Sequence, residues 1–520
     1  MSKSQIKPSW NWLFWHRWLG IFACVGVLMW GLSGISHPIM SRLQPKPAVF
    51  VAPQPTFNLA DALTPKAILS QHKIRAFSHL SLSRVAEQTY LRVGTMQNMP
   101  ARYFDIKTGK ELEHGDEINA KALASHFTGI AADQIASAHL VSQFDADYHA
   151  VNRLLPVWRI AFKQNGNLRA FIDTEQTRLA TLVDDTRYRL TQLFQFGHNW
   201  SFLSKVPALQ LTIAASILSI ILLSALSGLY LFVKQSATAK ARLAKLPTRK
   251  WHRRLGLVVS LTTLVFASSG LFHLVMSYQQ EKRVVHAQPA MVSAELLSDA
   301  VWKDIIKQPI AKLDGLAQGL EPYWYVLPAA DSGENQMPVA QVAAMATEAE
   351  HAEHAEHAEH AEHHDHHAHG ETVREKKKPY MLRADKYRGE VAADSVEQFA
   401  RSQALQFYSA TAPVVTAVTW TSKFAGEYGF IFKRLPVLRV QFQDNDNTRI
   451  YIEPTTGALA AEVRDIDGVE GFVFAYLHKW SFEGLNKDLR DLLVSLFALW
   501  NIVVAMLGLV LFSRKYTTKR

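Results

Sequence analysis

The sequence predicts an integral membrane α-helical protein: four transmembrane helices, internally duplicated, with two α+β domains outside the membrane. Three observations predict it. Of 520 residues, 48% are apolar, and the near-neutral mean hydropathy of −0.04 conceals their concentration in blocks at 19–35, 209–233, 255–275 and 492–512. Each block matches or approaches the roughly 20 apolar residues needed to cross a hydrocarbon core of about 30 Å. Basic residues collect at one set of block ends, and the first half of the chain recurs in the second.

The blocks divide the chain. Residues 1–18 form a cytoplasmic N-terminus, 19–38 the first span, 39–205 the first external domain and 206–233 the second span. A basic cytoplasmic loop at 234–254 leads to the third span, 255–276, the second external domain, 277–488, the fourth span, 489–513, and a cytoplasmic tail, 514–520. The loop carries Lys240, Arg242, Lys245, Arg249 and Lys250 without an acidic residue, and the tail adds Arg514, Lys515, Lys519 and Arg520. Basic loops stay in the cytoplasm. Both termini therefore belong inside a bacterial inner membrane, and the large segments belong in the periplasm. The net charge of +10 is this topology signal, and it makes no case for nucleic acid as a partner; membrane lipid is the partner the spans require. The first block follows Lys3, Lys7 and Arg17 as a signal peptide would. It runs longer than a signal core, however, and its pattern returns at the third block, so it reads as a retained helix. Cys24 is the single cysteine, which excludes a disulfide framework.

The repeat is explicit. Trp15-His16-Arg17-Trp18-Leu19-Gly20 returns as Trp251-His252-Arg253-Arg254-Leu255-Gly256, Ser33-Gly34 as Ser269-Gly270, and His37 as His273. Further on, Leu155-Pro156-Val157 returns as Leu435-Pro436-Val437, His198-Asn199-Trp200-Ser201-Phe202 as His478-Lys479-Trp480-Ser481-Phe482, and Gly228-Leu229 as Gly508-Leu509. The external parts alternate apolar and polar residues at 101–105, 159–162, 169–173, 438–442 and 449–453, with Thr-Gly and Asn-Gly turns between. That pattern reads as antiparallel sheet, with helices at 117–128 and 394–408 packed on it.

The second copy is longer because of an insertion at 332–378. It contains His351, His354, His357, His360, His363, His364, His366, His367 and His369 interleaved with Ala and Glu. A tract with no apolar face to bury reads as a disordered loop. Its imidazoles and carboxylates suit borderline divalent metals such as zinc, nickel or copper, and a solvated spacer expanded by slippage has the same composition.

Six further histidines fall at duplicated positions: His16, His37 and His198, then His252, His273 and His478. The 21 residues from His16 to His37 rise roughly 31 Å along a helix, about the thickness of the apolar core. Each such helix therefore carries one imidazole near either surface. His198 and His478 fall just outside the second and fourth spans. Ionisable groups at membrane depth face a bundle interior and a partner, and His16 can face His252 across the two copies. Two imidazoles on facing helices meet the axial needs of haem, and Gly20, Gly34, Gly256 and Gly270 leave room for a porphyrin edge. On the external side two schemes fit. One haem joins a symmetry-related pair such as His37 and His273, or separate haems sit on His37–His198 and His273–His478. Trp15, Trp18, Trp200, Trp251 and Trp480 suit either porphyrin packing or an interfacial aromatic belt.

The Trp-His-Arg-x-x-Gly opening, the Ser-Gly-x-x-His close and the strand ends Asp105-x-x-Thr108-Gly109 and Glu453-x-x-Thr456-Gly457 resemble the PepSY-associated transmembrane proteins. That family includes iron-regulated inner-membrane proteins and inner-membrane ferric-siderophore reductases. The resemblance implies PepSY-like periplasmic domains, two or more haem b groups between the helices, and reduction of a periplasmic ferric siderophore or other metal chelate for iron uptake. Its haem-ligand role falls on His16, His37, His198, His252, His273 and His478, and the histidine-rich insertion departs from its pattern.

The chain shows no Gly-x-Gly-x-x-Gly opening a βαβ unit and no Walker loop, so a reductase of this kind takes its electrons from membrane quinol or a separate reductase. Two other classes compete: a non-enzymatic PepSY module that binds or restrains another protein, and a metal-handling or transport protein using the histidine-rich loop. Against transport, no span carries an internal carboxylate suited to cation relay, and both copies have the same orientation.

Overall fold

The computed structural model describes residues 11–96, 98–163, 166–234, 247–281, 290–330, 378–386, 391–408, 413–482 and 484–517. They divide into two compact units: residues 1–44, 186–284 and 469–520 form one, and 45–185 with 285–468 form the other. These units do not follow the sequence blocks, since 186–206 and 469–488 group with the long helices. The segments leading into the second and fourth spans pack with the helices, because they deliver His198 and His478 to the bundle.

The first unit is built on four helices long and apolar enough to cross a membrane: Trp12–Leu43, Pro207–Lys234, Pro247–Gln279 and Lys487–Arg514. The first packs on the second and fourth, and the third packs on the second and fourth, closing a four-helix bundle. Without a hydrophobic drive between helices in lipid, close approach depends on small residues. A Cβ on Gly26 would lie 2.5 Å from the Ile217 Cγ2, and one on Gly31 would lie 2.9 Å from Ile502. Ala23, Leu218, Ile221 and Ala267 form the buried middle. Thr263 and Asn501 share a hydrogen bond between the third and fourth helices, where the corresponding residues of the first pair are Val27 and Ile221.

The second unit contains three larger antiparallel sheets. One has seven strands in the order Tyr380–Arg383, Glu321–Pro328, Ile310–Gln318, His79–Val85, Gln88–Gly94, Arg102–Asp105 and Glu111–Leu112. It differs from the expectation of two separate domains. Leu80 pairs with Gly315 and Ser81 with Asp314, so strands from both halves of the chain share one sheet and leave no free edge between them. A core of Leu80, Leu91, Phe104, Trp302, Leu313 and Trp324 fills beneath it.

The other two are four-stranded meanders. Ile135–Val141, Val157–Phe162, Arg169–Asp173 and Arg178–Val183 form the first; Val414–Thr421, Val437–Gln443, Arg449–Ile452 and Leu459–Val463 form the second. Their registers correspond: Arg159 pairs with Phe171, and Arg439 with Tyr451. Each buries the apolar face of one helix. Gly115–Thr128 sets Leu123 and Phe127 on Trp158, Ile160 and Ile172. Ser395–Phe407 sets Val396 and Phe399 on Leu438, Val440 and Ile452. The strands read at 101–105, 159–162, 169–173, 438–442 and 449–453 and both helices lie where the alternation and periodicity place them, with ends differing by a few residues; the flanking strands were not read from the sequence.

Candidate functional site

The histidines sort into two levels of the helix bundle. At one level, His16 stands in the second turn of the first helix and His252 in the second turn of the third. Their ring centroids are 6.4 Å apart. His16 Nδ1 lies 3.2 Å from the carbonyl oxygen of Ser224 and 2.9 Å from Ser227 Oγ. His252 Nδ1 lies 3.1 Å from the carbonyl oxygen of Val504, the corresponding position of the second copy. A carbonyl only accepts, so Nδ1 carries the proton in both rings and Nε2 keeps its lone pair.

Each ring rests on a glycine. A Cβ on Gly228 would stand 3.0 Å from His16 Cε1, and one on Gly508 would stand 3.4 Å from His252 Cε1. Both glycines were legible only as repeat positions, and their use as seats for the imidazoles depends on tertiary packing.

At the other level, His198 faces His478 with ring centroids 6.3 Å apart. His198 Nδ1 lies 3.3 Å from Ser33 Oγ, and His478 Nδ1 lies 3.1 Å from Ser269 Oγ. The serine hydroxyls donate to the carbonyls of Met29 and Val265, both at 2.7 Å. Their oxygens are left to accept from Nδ1, and Nε2 is again the open nitrogen. His478 ends a π-helical turn, Val473–His478. Two residues beyond each of these histidines, Trp200 and Trp480 take left-handed backbone, with φ of 55° and 58°. Their rings stack on Trp30 at 5.2 Å and on Phe266 at 5.4 Å, again at corresponding positions.

His37 and His273 stand differently. His37 lies 5.4 Å from Phe194, which stacks on His198 at 4.6 Å. His273 stacks on Phe474 at 4.2 Å, and Phe474 lies 5.4 Å from His478. His273 Nδ1 also pairs with the carboxylate of Glu470, where the first copy has Leu190. The facing rings at this level are thus His198 and His478. This pairing belongs to the symmetry-related class, but it is neither His37 with His273 nor a pairing within one copy.

These distances permit a test of fit. Two imidazole nitrogens bound at about 2 Å to one iron place their ring centroids about 6.3 Å apart. Both facing pairs meet that spacing, and all four Nδ1 atoms are committed elsewhere, as ligand imidazoles require. Among the glycines expected to line a porphyrin edge, a Cβ on Gly270 would lie 3.4 Å from His478 Cε1, while one on Gly34 would meet open space. Trp15, Trp18 and Trp251 lie exposed on the bundle, as an aromatic belt does.

Among the described residues, no group of three or more His, Cys, Asp or Glu is placed to hold a metal ion. The candidate metal histidines His351, His354, His357, His360, His363, His364, His366, His367 and His369 lie outside the described residues, as do Lys240, Arg242 and Lys245.

No curated protein matches the chain. The family described as the PepSY-associated TM region matches residues 13–304, a stretch that holds His16, His37, His198, His252 and His273 and covers more than half of the sequence. The chain belongs to the PepSY-associated transmembrane family.

Proposed function

We propose that this protein is a haem b-containing oxidoreductase of the bacterial inner membrane, passing electrons outward to reduce a periplasmic ferric chelate of the siderophore type. The observation that carries the reading is the pair of facing imidazoles at each level, 6.4 and 6.3 Å apart, with every Nδ1 held by an acceptor. In this reading His16 and His252 hold the cytoplasmic-side haem, and His198 and His478 hold the periplasmic-side haem. The bound haems supply one-electron exchange between ferric and ferrous iron. The four facing imidazoles would hold the haems, with their tautomers fixed by the Nδ1 partners, and the apolar middle of the bundle would exclude water.

The reading extends to the architecture. The matched registers, helix seats and histidine levels support descent from a duplicated unit. The basic 234–254 connection supports cytoplasmic termini and a periplasmic sheet unit. Quinol or a separate reductase supplies the electrons.

The experiment is anaerobic. Purified full-length protein reduced with dithionite, freed of excess reductant and mixed with a ferric hydroxamate siderophore should reoxidise as ferrous iron appears on a ferrous-specific chelator. Reoxidation without ferrous iron, or none at all, contradicts the assignment of substrate.

A further inference from the structure

We infer that Ser33 and Ser269 are positioning residues that orient the outer histidine pair and set the electron affinity of the group it holds. This rests on the reading of His198 and His478 as axial ligands.

The two levels differ in what receives the Nδ1 proton. At the inner level the acceptors include main-chain carbonyls, of Ser224 and Val504, which no substitution removes. At the outer level each ring has a side-chain hydroxyl as partner, Ser33 Oγ at 3.3 Å and Ser269 Oγ at 3.1 Å, and the main chain of Phe266 also reaches the His478 ring. Each serine is 1% exposed, so water does not compete for the ring. Each hydroxyl hydrogen is spent on its own helix, toward Met29 and Val265, and this forces the oxygen to accept. The arrangement occurs at both corresponding positions, on two different helices. A helix-bound serine ordinarily has this back-bond and nothing further to do; here its remaining lone pair meets Nδ1, which fixes the tautomer and leaves Nε2 unprotonated.

An Nδ1–H that donates makes Nε2 more basic. A more basic axial nitrogen favours Fe³⁺ over Fe²⁺, and second-shell hydrogen bonding is one of the levers on haem potential. Removing the serine oxygen takes away the side-chain acceptor of a buried Nδ1–H, with only the Phe266 main chain near the His478 ring, and leaves Nε2 less basic. The outer couple, Fe³⁺ + e⁻ → Fe²⁺, then lies further toward the reduced side. Outer-partner changes of this kind shift ligand equilibria by about 10-fold to 100-fold. A tenfold shift in the relative affinity for the two oxidation states is about 59 mV for one electron.

The test is an equilibrium redox titration of purified full-length protein, followed in the visible haem bands with small-molecule mediators. The wild type should titrate as two components. Ser33→Ala and Ser269→Ala should each raise one component by about 59 mV or more, a tenfold change, and leave the other in place. Ser269→Thr, which keeps the hydroxyl, should titrate as the wild type does. If Ser269→Ala loses the outer haem altogether, Ser269→Thr must restore it. Equal potentials in the alanine variants, equal shifts of both components, or a threonine variant that behaves as alanine does would overturn the inference while the haem reading stands. A wild type without haem bands would instead remove the reading beneath it.

Discussion

His198 and His478, 280 residues apart in the chain, face each other at 6.3 Å between ring centroids, and each turns its Nδ1 to a buried serine. His16 and His252 repeat the relationship at 6.4 Å. Single replacements should therefore act by level. His16→Ala or His252→Ala should remove about half of the haem and spare the remainder, since a bis-histidine centre needs both axial nitrogens. His198→Ala or His478→Ala should remove the other half. His37→Ala and His273→Ala should leave haem content near the wild-type value. Haem-to-protein ratios measure all six; loss of haem in the His37 and His273 variants would restore the within-copy pairing.

The inner level depends on its glycine seats. Gly228→Leu would drive a side chain into the His16 ring, whose Cε1 already lies 3.0 Å from where a Cβ would stand. The variant should lose the inner haem bands and keep the outer ones. An unchanged spectrum would show that the ring has room to move.

The four long apolar helices, both sheet helices and the approach of His16 to His252 were legible in the sequence. Hydropathy and length decide the spans, and His16 and His252 are the duplicated histidines at the basic ends. The external pairing was not legible. His37 lies within a span while His198 lies beyond one, and the spacing allows either to face a partner. What selects His198 and His478 is the packing of Phe194 and Phe474 between them and the other two histidines. Glu470 and the serine acceptors were hidden for a similar reason: a carboxylate or hydroxyl near a helix end is common, and only the fold brings it to a ring nitrogen. The shared seven-stranded sheet rests on Leu80 pairing with Gly315, a contact too distant in sequence for local alternation to specify.

The sheet unit carries its own electrostatic fastening. Glu453 is buried between Arg178, at 2.9 Å, and Arg434, and Arg178 also binds Asp173 at 2.7 Å. Burial raises the Glu453 pKa, but the two arginines more than offset it and hold the carboxyl at about 2. This contribution is present above the ordinary carboxyl range of about 4.3 and is lost as pH falls through about 2. Arg178→Ala leaves a buried carboxylate with one partner fewer and should destabilise the unit by about 3–5 kcal/mol at neutral pH. Chemical denaturation of the full-length protein in detergent checks it; a change under about 1 kcal/mol would place the pair among interactions of surface strength.

His79 should give the opposite pH dependence. Its Nε2 lies 3.2 Å from the Thr455 carbonyl oxygen and 3.3 Å from Asp314 Oδ1, while Nδ1 faces Glu175 at 3.9 Å. Burial lowers the ring's pKa, but Glu175 and Asp314 outweigh it, against a smaller opposing charge from Arg92, and the net pKa is raised. The stabilisation is therefore complete below the unfolded value of about 6.5 and is lost as pH rises through the folded value. The thermal midpoint of the wild type should fall between pH 6.5 and the folded midpoint by more than that of His79→Gln. Parallel profiles for the two proteins would contradict the assignment.

The most direct measurement is the visible spectrum of the purified full-length protein before and after dithionite. A Soret band that shifts on reduction, with about two haems per chain and loss of half the signal in His16→Ala, is the result the ligand assignment predicts. Protein that folds and purifies with no reducible Soret band would contradict it.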